Sequence, residues 1–188
     1  MKKIKYYISS FRLRTLPLSI SGIILGSLLL KSDGYFNPTV FCLAILTTLC
    51  LQILSNLANE LGDMQKGTDN ADRLGPVRAL QSGILTTKDF KRLIIIFILL
   101  AILSGTVLIL TAFHSLLSYK SILMLFIGGA AAIAAVKYTI GKNPYGYRGL
   151  GDIFVFLFFG WVSTLGAYYL MTHQLNPDIL LPATSIGF

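Results

Sequence analysis

Long apolar blocks alternate with short polar ones along this chain. Apolar runs cover residues 15–30, 39–58, 93–113, 122–136 with its flanks, and 153–171. A last run opens at Asp178 and stops at Phe188, too short to cross a membrane. A helix needs roughly 20 apolar residues to span a hydrocarbon core about 30 Å thick. No water satisfies backbone groups there, so only helices or closed barrels cross, and no run shows the strict alternation of a barrel strand. The pattern predicts an all-α fold, a polytopic transmembrane helix bundle. It would hold about five complete helices plus the start of a sixth, in one transmembrane domain over residues 1–188. Between the runs, Asp33-Gly34 and Asn37-Pro38 mark a turn. Residues 62–91 form a polar segment of about thirty residues, longer than an idle connection usually is. A second polar segment, "KYTIGKNPYGYRGLG", covers 137–151.

Composition strengthens the membrane reading. The 188 residues are 54% hydrophobic and 13% charged, with a mean hydropathy of +0.71, whereas soluble domains carry roughly 25% charged residues. A net charge of +8 raises the question of nucleic acid, and its distribution answers it. The N-terminus, the 62–91 segment with adjoining Arg92, and the 137–151 segment hold 14 of the 16 Lys and Arg residues; Lys31 and Lys120 are the others. By the positive-inside rule these three segments share the cytoplasmic face. The expectation is an integral protein of a bacterial cytoplasmic (inner) membrane with no nucleic-acid partner. Cys42 and Cys50 lie in one apolar run and read as small packing residues. His114 and His173 are isolated near the ends of different runs, with no metal-ligand spacing. The basic start followed by an apolar run resembles a secretory signal. That run ends in Lys31-Ser32-Asp33-Gly34 without a small-x-small cleavage pattern, so it reads as a membrane helix.

Four of the eight acidic residues, Glu60, Asp63, Asp69 and Asp72, fall within thirteen positions and are interleaved with Lys66, Arg73 and Arg78. On a continuing helix Asn59 and Asp63 share a face, about 6 Å apart along the axis. Gln52, Ser55, Asn56 and Asn59 carry the polar stripe back into the membrane span, where facing lipid would cost several kcal/mol. Such a stripe belongs against protein or a wet cavity. Mg²⁺ prefers one or two carboxylates and completes its shell with water and substrate phosphate. Asn59, Asp63 and Asp69 are the candidate metal ligands. Lys66, Arg73 and Arg78 are candidate partners for a diphosphate that shares the metal. An ordinary loop solvated by its own charges is the bland reading.

"YGYRGLGD", residues 145–152, is the second constellation on the same face. Arg148 is a further phosphate partner. Asp152 would sit at a helix start, which the helix dipole explains as well as a catalytic role does. Tyr138, Tyr145 and Tyr147 read first as an interfacial aromatic belt and second as a pocket lining. Phe154, Phe158, Trp161 and Leu165 recur at helical spacing. They read first as core or lipid-facing residues, and second as an aromatic wall that stabilises an allylic cation through ring quadrupoles.

Three stretches resemble the UbiA-type intramembrane prenyltransferases, and within them the branch that prenylates 1,4-dihydroxy-2-naphthoate. They are "RLRTLP" at 12–17, "QILSNLANELGDMQKGTDNADRLGPVRALQSGIL" at 52–85 and "YGYRGLGDIFVFLFFG" at 145–160. The resemblance implies a helical bundle with a lipid-open cavity whose first Asp-rich motif binds a polyprenyl diphosphate through Mg²⁺. By position, Asn59 and Asp63 match the family's leading Asn and metal-binding Asp, and Asp69 its later acid. Glu60 stands where the superfamily usually has Asp, and its longer chain would reach a water or a metal. Asp69 lies six residues beyond Asp63, where the wider superfamily uses four. The implied activity is Mg²⁺-dependent transfer of a polyprenyl group to 1,4-dihydroxy-2-naphthoate with loss of CO₂, giving demethylmenaquinone. Asp63, Asp69, Arg148 and Asp152 are the candidate catalytic residues. Asn59, Lys66, Arg73, Arg78, Tyr145 and Arg148 are the candidate substrate-binding residues.

The family's second Asp-rich motif is not present among these residues. The expectation is therefore an N-terminal portion of an enzyme of about nine helices, inactive on its own. Prenylation of another aromatic acceptor, a cation-transporting membrane protein and a non-catalytic module are the competing readings. The dense Lys and Arg residues beside the acids argue against a cation path.

Overall fold

The computed structural model describes residues 2–31, 34–69 and 77–188. Its helices are α1 (Lys2–Ser10), α2 (Leu16–Leu28), α3 (Pro38–Lys66), α4 (Thr87–Phe113), α5 (Tyr119–Lys137), α6 (Gly151–Thr172) and α7 (Leu180–Gly187). The described residues form no strand, in keeping with the all-α bundle the apolar pattern predicts. Four helices, α3 to α6, are long and apolar enough to cross a membrane. The first expected span is a helix of only 13 residues, about 20 Å at 1.5 Å per residue. It closes in a turn in which the Leu30 and Lys31 amides donate back to Ser27 and Leu28.

Local signals set the helix ends. Asn37 caps α3, its side chain accepting from the Thr39 and Val40 amides, with Pro38 in the first turn. Gly67, at φ +73°, ends the same helix in the left-handed conformation that costs glycine little. Thr86 and Asp89 form a reciprocal capping box that starts α4. As a result the expected polar segment is shorter than the sequence indicates. Its first residues are the last turns of α3, and its final five belong to α4.

Helices α3 and α4 pack antiparallel along most of their length. Leu54, Leu57 and Leu61 meet Phe90 and Ile94 at one end. Val40 and Ala44 meet Leu108 and Ala112 at the other. Between them Thr47 donates to the Ser104 hydroxyl at 3.1 Å. The N-terminal helix α1, which the sequence pattern does not announce, lies across this pair. Its Tyr6 and Tyr7, followed by Phe11, pack on the Leu54–Phe90 cluster.

Helix α2 closes the bundle against the second half of α6 through small residues. A Cβ at Gly22 would meet the Ser163 side chain, and one at Gly26 would lie 2.2 Å from the Thr164 carbonyl oxygen. Lipid gives no hydrophobic drive between helices, so such close backbone approach supplies the packing that holds them. Residues Phe156–Val162 of α6 are wound as a π-helix, a local widening often found at functional sites. Gly26→Ala is expected to lower the melting temperature in detergent, at a cost of about 1–3 kcal/mol for overpacking. Gly129→Ala, with open space around the added methyl, should leave it unchanged or raise it. Thermal unfolding of the two variants beside the parent measures both.

Candidate functional site

Helix α3 carries its polar stripe from the middle of the membrane span to its last turn. Gln52, Ser55, Asn56 and Asn59 all line one cavity of about 1230 Å³, so the stripe faces a cavity rather than lipid. The cavity lies between α3, α4, α5 and α6. It runs from Asn59, Tyr138 and Tyr145 at one end to Tyr119 and His173 at the other. Most of its lining is apolar. Phe154, Phe158, Trp161 and Leu165 all contribute to it, so the face first read as core or lipid-facing is a cavity wall. The π-helical turn adds Phe159 and Val162 to the same wall.

One turn beyond Asn59, three charges meet. The Arg78 Nη1 lies 2.9 Å from Asp63 Oδ2, and its Nε lies 3.3 Å from Asp69 Oδ1. One guanidinium thus holds two carboxylates together. The side chains of Asp63 and Asp69 are 18% and 3% exposed, so little water screens the two like charges. Arg78 offsets their repulsion, and removing it would leave buried charge uncompensated. The Tyr147 hydroxyl donates to the other Asp63 oxygen at 2.7 Å. Burial and that hydrogen bond push the Tyr147 pKa up to about 12, so this donor stays protonated at neutral pH.

The neighbouring polar groups hold the cluster in place. Thr68 closes the end of α3, its amide and hydroxyl both donating to the Asp63 carbonyl at 3.0 Å. Thr139, just after α5, donates to the Ala58 carbonyl at 3.0 Å and to Asn59 Oδ1 at 3.2 Å. Thr139 also lies so close to Gly62 that a Cβ there would clash. Glu60 is 2% exposed and accepts the Leu80 amide at 3.0 Å. One of its oxygens thereby anchors the segment after residue 77 to α3.

Arg12 is the residue that motif reading left without a role. Asn56 Nδ2 donates to the Phe11 carbonyl at 2.9 Å and to the Thr15 hydroxyl at 3.1 Å. This pins the corner between α1 and α2, where Arg12 adopts a left-handed φ of +51°. Burial, and next the Arg78 charge, lower the Arg12 pKa from its ordinary value, while Glu60, Asp63 and Asp69 pull it back up. Its Nη2 is buried with no hydrogen-bond partner among the described residues. The "RLRTLP" motif was the available signal. Its place beside the α3 acids depends on the Asn56 bonds, which the motif does not spell out.

The other expected site residues are dispersed. Tyr145 lines the cavity, donates to the Ala134 carbonyl at 2.9 Å and stacks on Phe154 at 3.9 Å. Burial and then Tyr138 raise its pKa to about 12. Tyr138 and Tyr145 are thus pocket residues, against the first reading of an aromatic belt. Lys66 is exposed on the last turn of α3, and Arg148 is exposed in the 3-10 turn Tyr145–Arg148. Asp152 is exposed in the first turn of α6. Among the described residues, no hydrogen bond or ion pair joins Arg148 or Asp152 to the Asp63 cluster. Arg73, with Asp72, lies outside the described residues.

Oxygen donors in this cluster match the preference of a hard divalent cation. Asp63 and Asp69 converge on one guanidinium, and Asn59 precedes Asp63 by one turn on the same face. The donor set therefore fits Mg²⁺, with Arg78 standing where the two carboxylates meet. The described residues hold no group of three or more His, Cys, Asp or Glu side chains that would form a metal site alone. A cation here would need ligands from elsewhere, such as phosphate oxygens.

Comparison with known proteins bears on the family of the chain. The chain is 48% identical to the 1,4-dihydroxy-2-naphthoate octaprenyltransferase of Escherichia coli (strain K12), over 96% of its own length and 58% of that protein. It is 43% identical to the protein of the same name from Haemophilus influenzae, over 99% of its length and 60% of that protein. The Mycobacterium tuberculosis protein of that name is 33% identical, over 100% and 61%. The chain spans about three fifths of the length of these relatives. No solved structure matches it. The model of the UbiA prenyltransferase family matches residues 19–188, and the chain belongs to that family.

Proposed function

We propose that this chain forms part of a prenyltransferase that transfers a polyprenyl group from polyprenyl diphosphate to 1,4-dihydroxy-2-naphthoate, with loss of CO₂. The observation that carries the reading is one juxtaposition. A long apolar cavity ends at Asn59, and one helical turn beyond it two carboxylates and a guanidinium converge. An isoprenoid diphosphate has the same division, an apolar chain joined to a compact polyanion. The names of the relatives support the naphthoate as acceptor.

In this reading Asp63 and Asp69, with Asn59, would hold Mg²⁺, which would supply positive charge to the diphosphate leaving group. Arg78 turns from the carboxylates to the diphosphate oxygens, where its planar fork fits two of them. Lys66, Arg73 and Arg148 are the remaining cations of this face. The allylic C–O bond breaks, and its electron pair leaves with the diphosphate. Positive charge on the allylic carbon is met by the faces of Phe154, Phe158 and Tyr145 along the cavity. A C–C bond forms to the electron-rich ring, and the acceptor's carboxylate departs as CO₂, returning its electron pair to the ring. An apolar wall keeps water from the cation, which would otherwise be captured as an alcohol.

Membranes carrying the chain, alone and continued to the length of its relatives, are assayed with labelled polyprenyl diphosphate, Mg²⁺ and dihydroxynaphthoate. Asp63→Asn is expected to lower turnover about a hundredfold or more, and to lower the melting temperature by less than Glu60→Ala does, because Arg78 keeps Asp69 as a partner. Retained turnover would remove Asp63 from the metal. Glu60→Ala should behave in the opposite sense. It strands the buried Leu80 amide at a cost of about 1–3 kcal/mol, and so lowers the melting temperature by several degrees.

Tyr147→Phe tests the hydroxyl that orients Asp63. Loss of such a bond is expected to weaken Mg²⁺ activation about tenfold. Because the Tyr147 pKa is raised to about 12, its contact is fully present below the ordinary value near 10 and is lost only as pH rises through 12. The ratio of variant to parent should therefore stay flat between about pH 7 and 9. A ratio that varies across that window would mean another group is titrating.

A further inference from the structure

Helix α1 is amphipathic in an unusual place. Tyr6, Tyr7 and the buried Ser10 face the bundle. Ile4 and Ile8, four residues apart and so on one face, are 62% and 45% exposed. Lys3 and Lys5 flank them and are exposed.

The first two turns of α4 lie beside this helix and carry the exposed cations Lys88, Lys91 and Arg92. Proximity is evident at Asp89. The Asp89 carboxylate accepts from the Thr86 amide and hydroxyl at 2.9 and 2.8 Å. The charges of Lys3 from α1 and Arg92 from α4 act on the same carboxylate. Asp89 is thus engaged in capping α4, and of the five exposed cations on the two helices Lys3 and Arg92 act on its charge.

Height in the membrane follows from α4 itself. Immediately after Arg92 its outer residues Ile95, Ile96 and Leu99 are exposed and apolar, as a lipid-facing surface requires. The basic cluster therefore sits at the level where hydrocarbon gives way to headgroups, with Ile4 and Ile8 at its edge.

We propose that α1 and the first two turns of α4 form a docking surface for anionic phospholipid headgroups, with Lys3, Lys5, Lys88, Lys91 and Arg92 around the phosphates and Ile4 and Ile8 inserted among the upper acyl carbons. Charge complementarity selects the occupant. Anionic leaflets attract juxtamembrane basic clusters with a strength that grows with each cation near the surface. Two isoleucines on the same helix have no use for a free anion but suit the boundary between headgroup and chain. Since the Phe11 carbonyl ties the end of α1 to Asn56, a lipid seated here also steadies the corner that carries Arg12. The surface shares no residue with the Asp63 cluster, so the proposal stands whether or not the proposed reaction is correct.

The purified chain is placed in zwitterionic detergent and titrated with phosphatidylglycerol, phosphatidylcholine or inorganic phosphate, with its melting temperature followed. Phosphatidylglycerol is expected to raise the melting temperature, and added NaCl to weaken the effect. The other two ligands should do little. Replacing four cations (Lys3→Gln, Lys5→Gln, Lys88→Gln, Lys91→Gln) should reduce the apparent affinity for phosphatidylglycerol at least about tenfold. Ile4→Ser with Ile8→Ser should reduce it without removing the salt dependence. An equal response to phosphatidylcholine, an equal response to inorganic phosphate, or undiminished affinity in the four-cation variant would each overturn the proposal. If that variant does not fold, the parent decides, because phosphatidylglycerol binding that NaCl leaves unchanged also overturns it.

Discussion

The Arg78 guanidinium, shared by two largely buried carboxylates, organises this end of the bundle. Asp63 belongs to α3, Asp69 to the loop beyond it, and Arg78 to the segment that returns toward α4. Their mutual attraction ties three parts of the chain together where water is scarce and unpaired charge is costly. Everything nearby is arranged to keep that balance. Glu60 receives the Leu80 amide, Thr68 closes the helix end, and Tyr147 reaches across from the second polar segment to fill the other Asp63 oxygen. The same charges that make the cluster stable make it suited, in the proposed function, to exchange partners with a metal and a diphosphate. Each carboxylate released from Arg78 then has a cation to accept, and Arg78 has phosphate oxygens.

The cavity gives that exchange a direction. Its polar end is the α3 stripe, and its long apolar remainder runs beside α5 and the π-helical part of α6. The π-helical turn contributes Phe158, Phe159, Trp161 and Val162 to this wall. Close small-residue packing of Gly22 and Gly26 against Ser163 and Thr164 fixes the far half of α6, so this wall stands on a rigid support.

Much of this was legible from residue order. The apolar runs give the membrane helices because backbone pairing leaves lipid-spanning segments few choices. Asn59 and Asp63 share a face because spacing on a helix is arithmetic, and the stripe from Gln52 onward had to face something other than lipid. What stayed hidden depends on contacts distant in sequence. No local signal singles out Arg78 over Lys66 as the partner of both acids, since the choice is made by how the loop returns to Glu60. Tyr147 looked like one more interfacial aromatic, although the positive-inside count had already put it on the same face as Asp63. Arg12 sat in a visible motif, but its position follows from Asn56 gripping the Phe11 carbonyl 45 residues away. Helix α1 gives no clear signal because its apolar residues are too few for a span.

The central claim is that Asp63 and Asp69 exchange Arg78 for a metal when a diphosphate arrives. That makes the two ligands mutually dependent, and such dependence is reciprocal by thermodynamic necessity. Calorimetric titration of the chain with Mg²⁺, with and without a non-hydrolysable polyprenyl diphosphate analogue, measures it directly once their association in buffer is subtracted. The account predicts that the analogue tightens Mg²⁺ binding about tenfold or more, and that Mg²⁺ tightens analogue binding by the same factor. Independent binding of the two, or Mg²⁺ bound equally well in Asp63→Asn, would contradict it.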